Sequence, residues 1–118
     1  MTLVDTSVWI DHLRRDNREL KRLLQENEAL MHPFVLGELA CGSLTQREEV
    51  LRLLAALPQA QIAEHGEVLA LVEKKRLWGR GAGWIDMHLL ASAILSRAKI
   101  WTLDHQLLRL ARALNVLS

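Results

Sequence analysis

Short apolar runs alternate with helix-spaced apolar residues along the whole chain. Leu3-Val4-Asp5 is the first apolar run and leads into Thr6-Ser7. It reads as a strand entering a helix, with Thr6 or Ser7 as N-cap. That helix carries Val8, Trp9, Ile10 and Leu13. A second helix, Asn17 to Gln25, places Leu20, Leu23 and Leu24 on one face. Glu28 to Met31 is a second strand candidate, and Pro33 suits the first position of the next helix. Gly42-Ser43 breaks that helix. Thr45-Gln46-Arg47-Glu48 matches a capping box opening a helix through Leu57, which Pro58 ends. Ala60 to Ala63 is a third strand candidate. Gly66 to Trp78 reads as a helix with a basic tail, and the glycine-rich loop Gly79 to Gly83 follows. Another helix runs from Trp84 or Ile85 to about Arg97. Lys99 to Asp104 is the clearest later strand, His105 to Leu114 a helix, and Asn115-Val116-Leu117 a last edge strand.

This alternation predicts the α/β class: a short, mainly parallel sheet flanked by helices, with helix outweighing strand. The 118 residues fit one domain spanning 1–118, and half are hydrophobic, enough to fill a core. Only one Phe and four Trp are present, so aliphatic residues must make most of that core. The formal net charge of +1 gives no global pull toward nucleic acid or membrane. Polyanion binding would need local basic clusters, for which Arg14-Arg15-Arg18-Lys21-Arg22 and Lys74-Lys75-Arg76-Arg80 are the candidates. Each also reads as an ordinary solvated helix surface. Cys41, the single cysteine, excludes an internal disulfide and reads as a buried small hydrophobe. The start shows no signal peptide, and no apolar run approaches the ~20 residues of a membrane span. The cytoplasm is the expected compartment.

Four acids stand out against this pattern. Asp5 ends an apolar run. Glu38 is the only charge in Pro33-Phe34-Val35-Leu36-Gly37-Glu38-Leu39-Ala40-Cys41. Asp86 lies in Trp84-Ile85-Asp86-Met87-His88-Leu89-Leu90-Ala91, and Asp104 closes Ile100-Trp101-Thr102-Leu103-Asp104. A carboxylate in apolar surroundings is costly unless paired, protonated or bound to a cation. No Lys or Arg adjoins these four. In an open parallel sheet, ligands gather at the carboxyl ends of strands. Asp5 and Asp104 close predicted strands, Glu38 rides on the helix after the second strand, and Asp86 opens a helix after the glycine loop. The four can therefore meet, and oxygen-only ligands select Mg²⁺ or Mn²⁺ over zinc. Such a cluster suits phosphodiester hydrolysis. The hydroxyls of Thr6, Ser7 and Thr102 flank the acids and can orient water or an outer ligand of the cation.

The same four segments, in the same order and over essentially the whole chain, resemble the acidic motifs of PIN-domain ribonucleases, above all the bacterial VapC toxin branch. The resemblance implies a PIN-like fold and Mg²⁺- or Mn²⁺-dependent endoribonuclease activity that leaves a 5′-phosphate and a 3′-hydroxyl. It implies the role of toxin in a toxin–antitoxin pair, with RNA as substrate, a small cognate antitoxin as inhibitor, and a homodimer. By motif position, Asp5 and Asp86 carry over as principal metal ligands, with Glu38 and Asp104 completing the catalytic cluster. Thr6 and Thr102 fall at flanking positions. Arg80 and His105 are candidates for substrate contact on position alone. Two other readings are weighed against this one. A non-catalytic RNA- or protein-binding module would have little reason to keep four costly acids. A phosphate-acceptor domain using Asp5 would want an Asp-x-Asp pair or a Lys after the late strand, and neither is present.

Overall fold

The computed structural model describes all of residues 1–118. Three strands form a parallel sheet: β1 (Thr2–Val4), β2 (Ala29–Leu30) and β3 (Lys99–Trp101), in the order β2-β1-β3. Leu3 aligns with Leu30 on one side and with Ile100 on the other. Single parallel bridges, Met31 to Gln59 and Ile100 to Leu117, prolong the sheet at both edges. Neither segment expected as a strand forms one: Ala60–Ala63 has no bridge of its own, the bridge lying at Gln59 just before it with Ala60 N–H donating to the Met31 carbonyl at 2.9 Å, and 115–117 supplies only the Leu117 bridge, although Ala60, Ala63 and Val116 are buried. Their apolar residues serve packing, which does not require a continuous backbone ladder.

Seven helices surround the sheet: α1 (Thr6–Arg15), α2 (Arg18–Gln25), α3 (Pro33–Ala40), α4 (Arg47–Ala55), α5 (His65–Lys75), α6 (Trp84–Ser96) and α7 (His105–Ala113). Every residue from Met87 to Ala93 on α6 is buried, which explains why this stretch is apolar all round rather than striped. Leu3, Val4, Leu30, Ile100, Leu89 and Leu90 belong to one core cluster of 27 buried hydrophobic residues. Trp9, Leu20 and Leu23 lie in that core and Leu24 packs against it, so these residues form no exposed groove. No helix is long and apolar enough to cross a membrane.

Several local expectations change. Asp5, not Thr6 or Ser7, is the N-cap of α1. α4 starts after Gln46, whose backbone is left-handed (φ 53°) and whose side chain makes no cap, so the Thr45–Glu48 box does not form. A reciprocal contact of that kind occurs at α5, where the Glu67 carboxylate accepts from the Glu64 N–H at 2.9 Å. Cys41 is exposed at the C-cap of α3, where the helix ends and the chain turns toward α4.

β1 is the centre of the sheet, with one neighbour reached by the first crossover and the other by the long return. Its carboxyl end is therefore a point where strand order reverses. Asp5 is the residue immediately beyond it.

Candidate active site

Asp5 is 7% exposed and its backbone N–H donates to the Trp101 carbonyl at 2.9 Å, so it lies against the end of β3. Two hydroxyls donate to its Oδ2, Thr102 Oγ1 at 2.7 Å and Ser7 Oγ at 2.8 Å. The Thr102 oxygen also accepts from the Asp104 N–H, and the Ser7 oxygen from the Leu103 N–H, each at 3.0 Å. These bonds tie the exit of β1 to the exit of β3. Thr6, next to Asp5, turns the other way and donates to Glu38 Oε1 at 2.9 Å, linking α1 to α3.

The other two acids are anchored by backbone amides. Asp104 caps α7, its Oδ1 accepting from Gln106 N–H at 2.9 Å and Leu107 N–H at 3.1 Å. Asp86 reaches back from the first turn of α6, its Oδ2 accepting from Gly83 N–H at 3.2 Å. The glycine loop brings this turn close to α7: at Gly81 (φ +84°) a Cβ would stand 2.9 Å from the Gln106 side chain. Only glycine suits both that backbone and that approach.

A common pattern results. Each acid has one carboxylate oxygen held by the protein, while Oδ1 of Asp5, Oε2 of Glu38, Oδ1 of Asp86 and Oδ2 of Asp104 take no hydrogen bond from it. None of the four makes an ion pair. Asp86 reports their proximity: burial raises its pKa first, and the charges of Asp5, Asp104 and Glu38 raise it further, against the lowering effect of the Gly83 N–H. Four like charges with free oxygens and no ion-paired cation form a strongly negative cleft.

Burial separates the four more than the sequence suggests. Asp5 is buried and Asp86 half-buried, whereas Glu38 and Asp104 are exposed. The apolar neighbours of Glu38 mislead because Phe34, Cys41 and Gly42 are themselves exposed along an uncovered face of α3. No three of these side chains stand close enough to form a ready-made cation cage. The donor set nonetheless fits a hard divalent cation that keeps part of its water shell, since every free atom is a carboxylate oxygen. Arg80 and His105 are exposed and make no side-chain hydrogen bond or ion pair.

The basic clusters also part company. In α1 and α2, Arg15 pairs with Asp11 at 2.7 Å, Lys21 with Asp16 at 3.3 Å, and Arg22 with Glu19 and with Glu26, leaving Arg14 and Arg18 free. Lys74, Lys75, Arg76 and Arg80 make no ion pair. A groove of about 430 Å³ opens beside Glu38, lined by Ile10, Leu13, Arg14, Leu39, Leu44 and Val50 among others.

Aromatic rings that no acidic motif marks also accompany these acids. Phe34 stands four residues before Glu38, and Trp84 and His88 bracket Asp86 on α6. The His88 ring lies 4.8 Å from each of the other two, centroid to centroid. The usable signal was the helical spacing of aromatic residues around the two helix acids.

Comparison with known proteins agrees with this architecture. The sequence model of the PIN domain matches residues 2–113. Ribonuclease VapC32 of Mycobacterium tuberculosis, strain CDC 1551 / Oshkosh, is 53% identical over 108 residues, covering 91% of this chain and 87% of that protein. The Ribonuclease VapC32 of strain ATCC 25618 / H37Rv matches to the same extent. With its parallel sheet, its acids at the carboxyl ends of the strands and this likeness along nearly its whole length, the chain belongs to the PIN-domain family, in its VapC branch.

Proposed function

We propose that this chain is a divalent-metal-dependent endoribonuclease, using Mg²⁺ or Mn²⁺, and the toxin of a toxin–antitoxin pair. The observation that carries the reading is the set of four carboxylates, each with one oxygen fixed and the other free, none of them in an ion pair. When bound, a divalent cation polarises the scissile phosphate, lowers the pKa of water and offsets charge on the leaving oxygen. Asp5 and Asp86 are the principal ligands, with Glu38 and Asp104 acting directly or through water.

The residues around them have separate tasks. Ser7 and Thr102 hold Asp5 in one rotamer, so its free oxygen keeps a fixed position at the end of the sheet. Thr6 does the same for Glu38. The acids by themselves repel a phosphodiester backbone, so RNA enters the cleft only once their charge is offset. The unpaired run Lys74-Lys75-Arg76-Arg80, just ahead of Asp86 in the chain, supplies local attraction for phosphates despite a net charge of only +1. The groove beside Glu38 is apolar enough to seat a segment of the antitoxin where it would block the cleft. A homodimer acting on cytoplasmic RNA completes the proposal, and a monomer by light scattering at high concentration would contradict that part.

The first test is cleavage of a mixed RNA pool by antitoxin-free protein, with Mg²⁺ or Mn²⁺ against EDTA, and Asp5→Asn in parallel. Metal-dependent cutting that the variant lacks supports the reading. Equal cutting by the variant would remove Asp5 from the chemistry. RNA binding without turnover would favour a non-catalytic module.

A further inference from the structure

Five rings form a continuous ladder beside the acidic cleft. His32 and Phe34 are 5.2 Å apart, Phe34 and His88 4.8 Å, His88 and Trp84 4.8 Å, and Trp84 and His65 4.9 Å. Both pairs that include His88 are edge-to-face, with interplanar angles of 64° and 85°. His32 and His88 are buried, but Phe34 and Trp84 are each 39% exposed. Large aromatic surface left in water is unfavourable; Trp78, in the loop before α6, is exposed as well, but Phe34 and Trp84 stand at the first turns of α3 and α6, the helices that carry Glu38 and Asp86. His88, between the two exposed rings, is 6% exposed, and its buried Nδ1 has no hydrogen-bond partner.

We propose that Phe34 and Trp84 form a stacking platform for an unpaired base of single-stranded RNA next to the scissile phosphate; this rests on the ribonuclease reading above. The ladder alternates aromatic faces with imidazoles, a surface that matches the flat, polar-edged nucleobase. Stacking is sequence-tolerant because every base has a π-face, and duplex RNA keeps its bases stacked internally. Two half-exposed rings are also far short of the ~800 Å² per partner of a typical protein interface. Continuity with the acids decides between the occupants. Phe34 lies one helical turn before Glu38 on the same face of α3, and the first turn of α6 carries both Trp84 and Asp86, on different faces of that helix.

The test compares wild type with Trp84→Leu and Trp84→Phe, each confirmed folded by its thermal midpoint. Cleavage is measured on a 12-nucleotide single-stranded RNA of random sequence. Binding in Mg²⁺ is measured in the Asp5→Asn background, with that RNA and with a 12-nucleotide abasic ribose-phosphate strand. Trp84→Leu should raise KM roughly 5- to 100-fold with a smaller change in kcat, and Trp84→Phe should restore most of it. In the binding assay Trp84→Leu should weaken RNA by a similar factor and leave the abasic strand unaffected. Phe34→Leu supplies a second, independent variant with the same expectation. Wild type that cuts RNA while the Leu variants keep its KM and bind both strands unchanged overturns the platform and leaves the nuclease reading standing. Failure of the folded wild type to cut, with Trp84-dependent binding retained, overturns the nuclease reading alone. A change of oligomeric mass in Trp84→Leu with unchanged RNA affinity assigns the rings to a second copy and overturns the proposal.

Discussion

Asp5 and His32 occupy equivalent places in this fold and meet opposite fates. Each follows a strand of the sheet at its carboxyl end, each is the N-cap of the next helix, and each is buried. The bonding of His32 is complete: its Nδ1 accepts from the Phe34 N–H at 3.0 Å, which fixes the tautomer, so Nε2–H donates to Ser92 Oγ at 3.1 Å. The Asp5 side chain makes no cap. It takes two hydroxyls on one oxygen and leaves the other free. The contrast teaches that burial at a strand end does not by itself mark chemistry. A side chain at a strand end with one oxygen bonded and the other left open does, because the open carboxylate oxygen is available to a ligand.

The sharpest way to break this comparison is to exchange what each residue can do. Asp5→Asn keeps an oxygen for Ser7 and Thr102 but removes the charge. Cleavage should fall by on the order of 10³-fold, as for loss of a group that stabilises the transition state, with the thermal midpoint nearly unchanged. His32→Ala should do the reverse. It removes a cap, leaves Ser92 without its partner and opens a cavity, costing about 2–4 kcal/mol in urea unfolding. Activity per folded molecule should stay near wild type.

The third expectation concerns pH. Burial first, and the nearby His88 second, lower the His32 pKa from 6.5 to about 4. Folded protein thus holds His32 neutral while unfolded chain protonates it below pH 6.5. A depressed folded value means stability is fully present above the unfolded value. It is lost as pH falls from 6.5 toward 4, by up to about 3 kcal/mol. Urea midpoints across that window should show the slope, and His32→Ala should flatten it. If both proteins lose stability equally, another group is responsible.

The smallest effect belongs to the support of Asp5. Ser7→Ala removes one of two donors to Oδ2 and the acceptor for Leu103 N–H, so the carboxylate loses orientation but not charge. Cleavage should drop about 10- to 100-fold, with weaker dependence on the metal concentration needed for half-maximal rate than in Asp5→Asn. A Ser7→Ala variant as inactive as Asp5→Asn would show that the hydroxyl does more than hold the acid.

Much of this molecule was legible without coordinates, and the reason is local. The period of apolar residues marks α1, α2 and α7 because a helix that covers a sheet must present one face to it; α6, β1 and β3 are marked instead by apolar runs, because Met87 to Ala93 of α6 are buried all round and short buried strands read the same way. The order of four isolated acids was equally plain, since a charge among apolar residues needs no neighbour in space to be conspicuous. Other features had no local signature. Ala60–Ala63 looks like a strand by composition but forms no ladder, and Cys41 looks buried but lies exposed at the end of α3.

The site divides along the same line. Which acids were unusual, and that a parallel sheet could gather them, followed from residue type and spacing alone. Tertiary structure alone decided that Asp5 is buried while Glu38 and Asp104 are exposed, that Ser7 joins Thr102 on one carboxylate oxygen, and that each acid keeps another oxygen free. It also decided that His32 would be fully bonded and that Phe34 and Trp84 would stand together. These outcomes depend on contacts between residues as many as 97 positions apart, as from Asp5 to Thr102. Periodicity reports what a residue does to its own helix or strand, whereas a site is made by what distant segments do to one another.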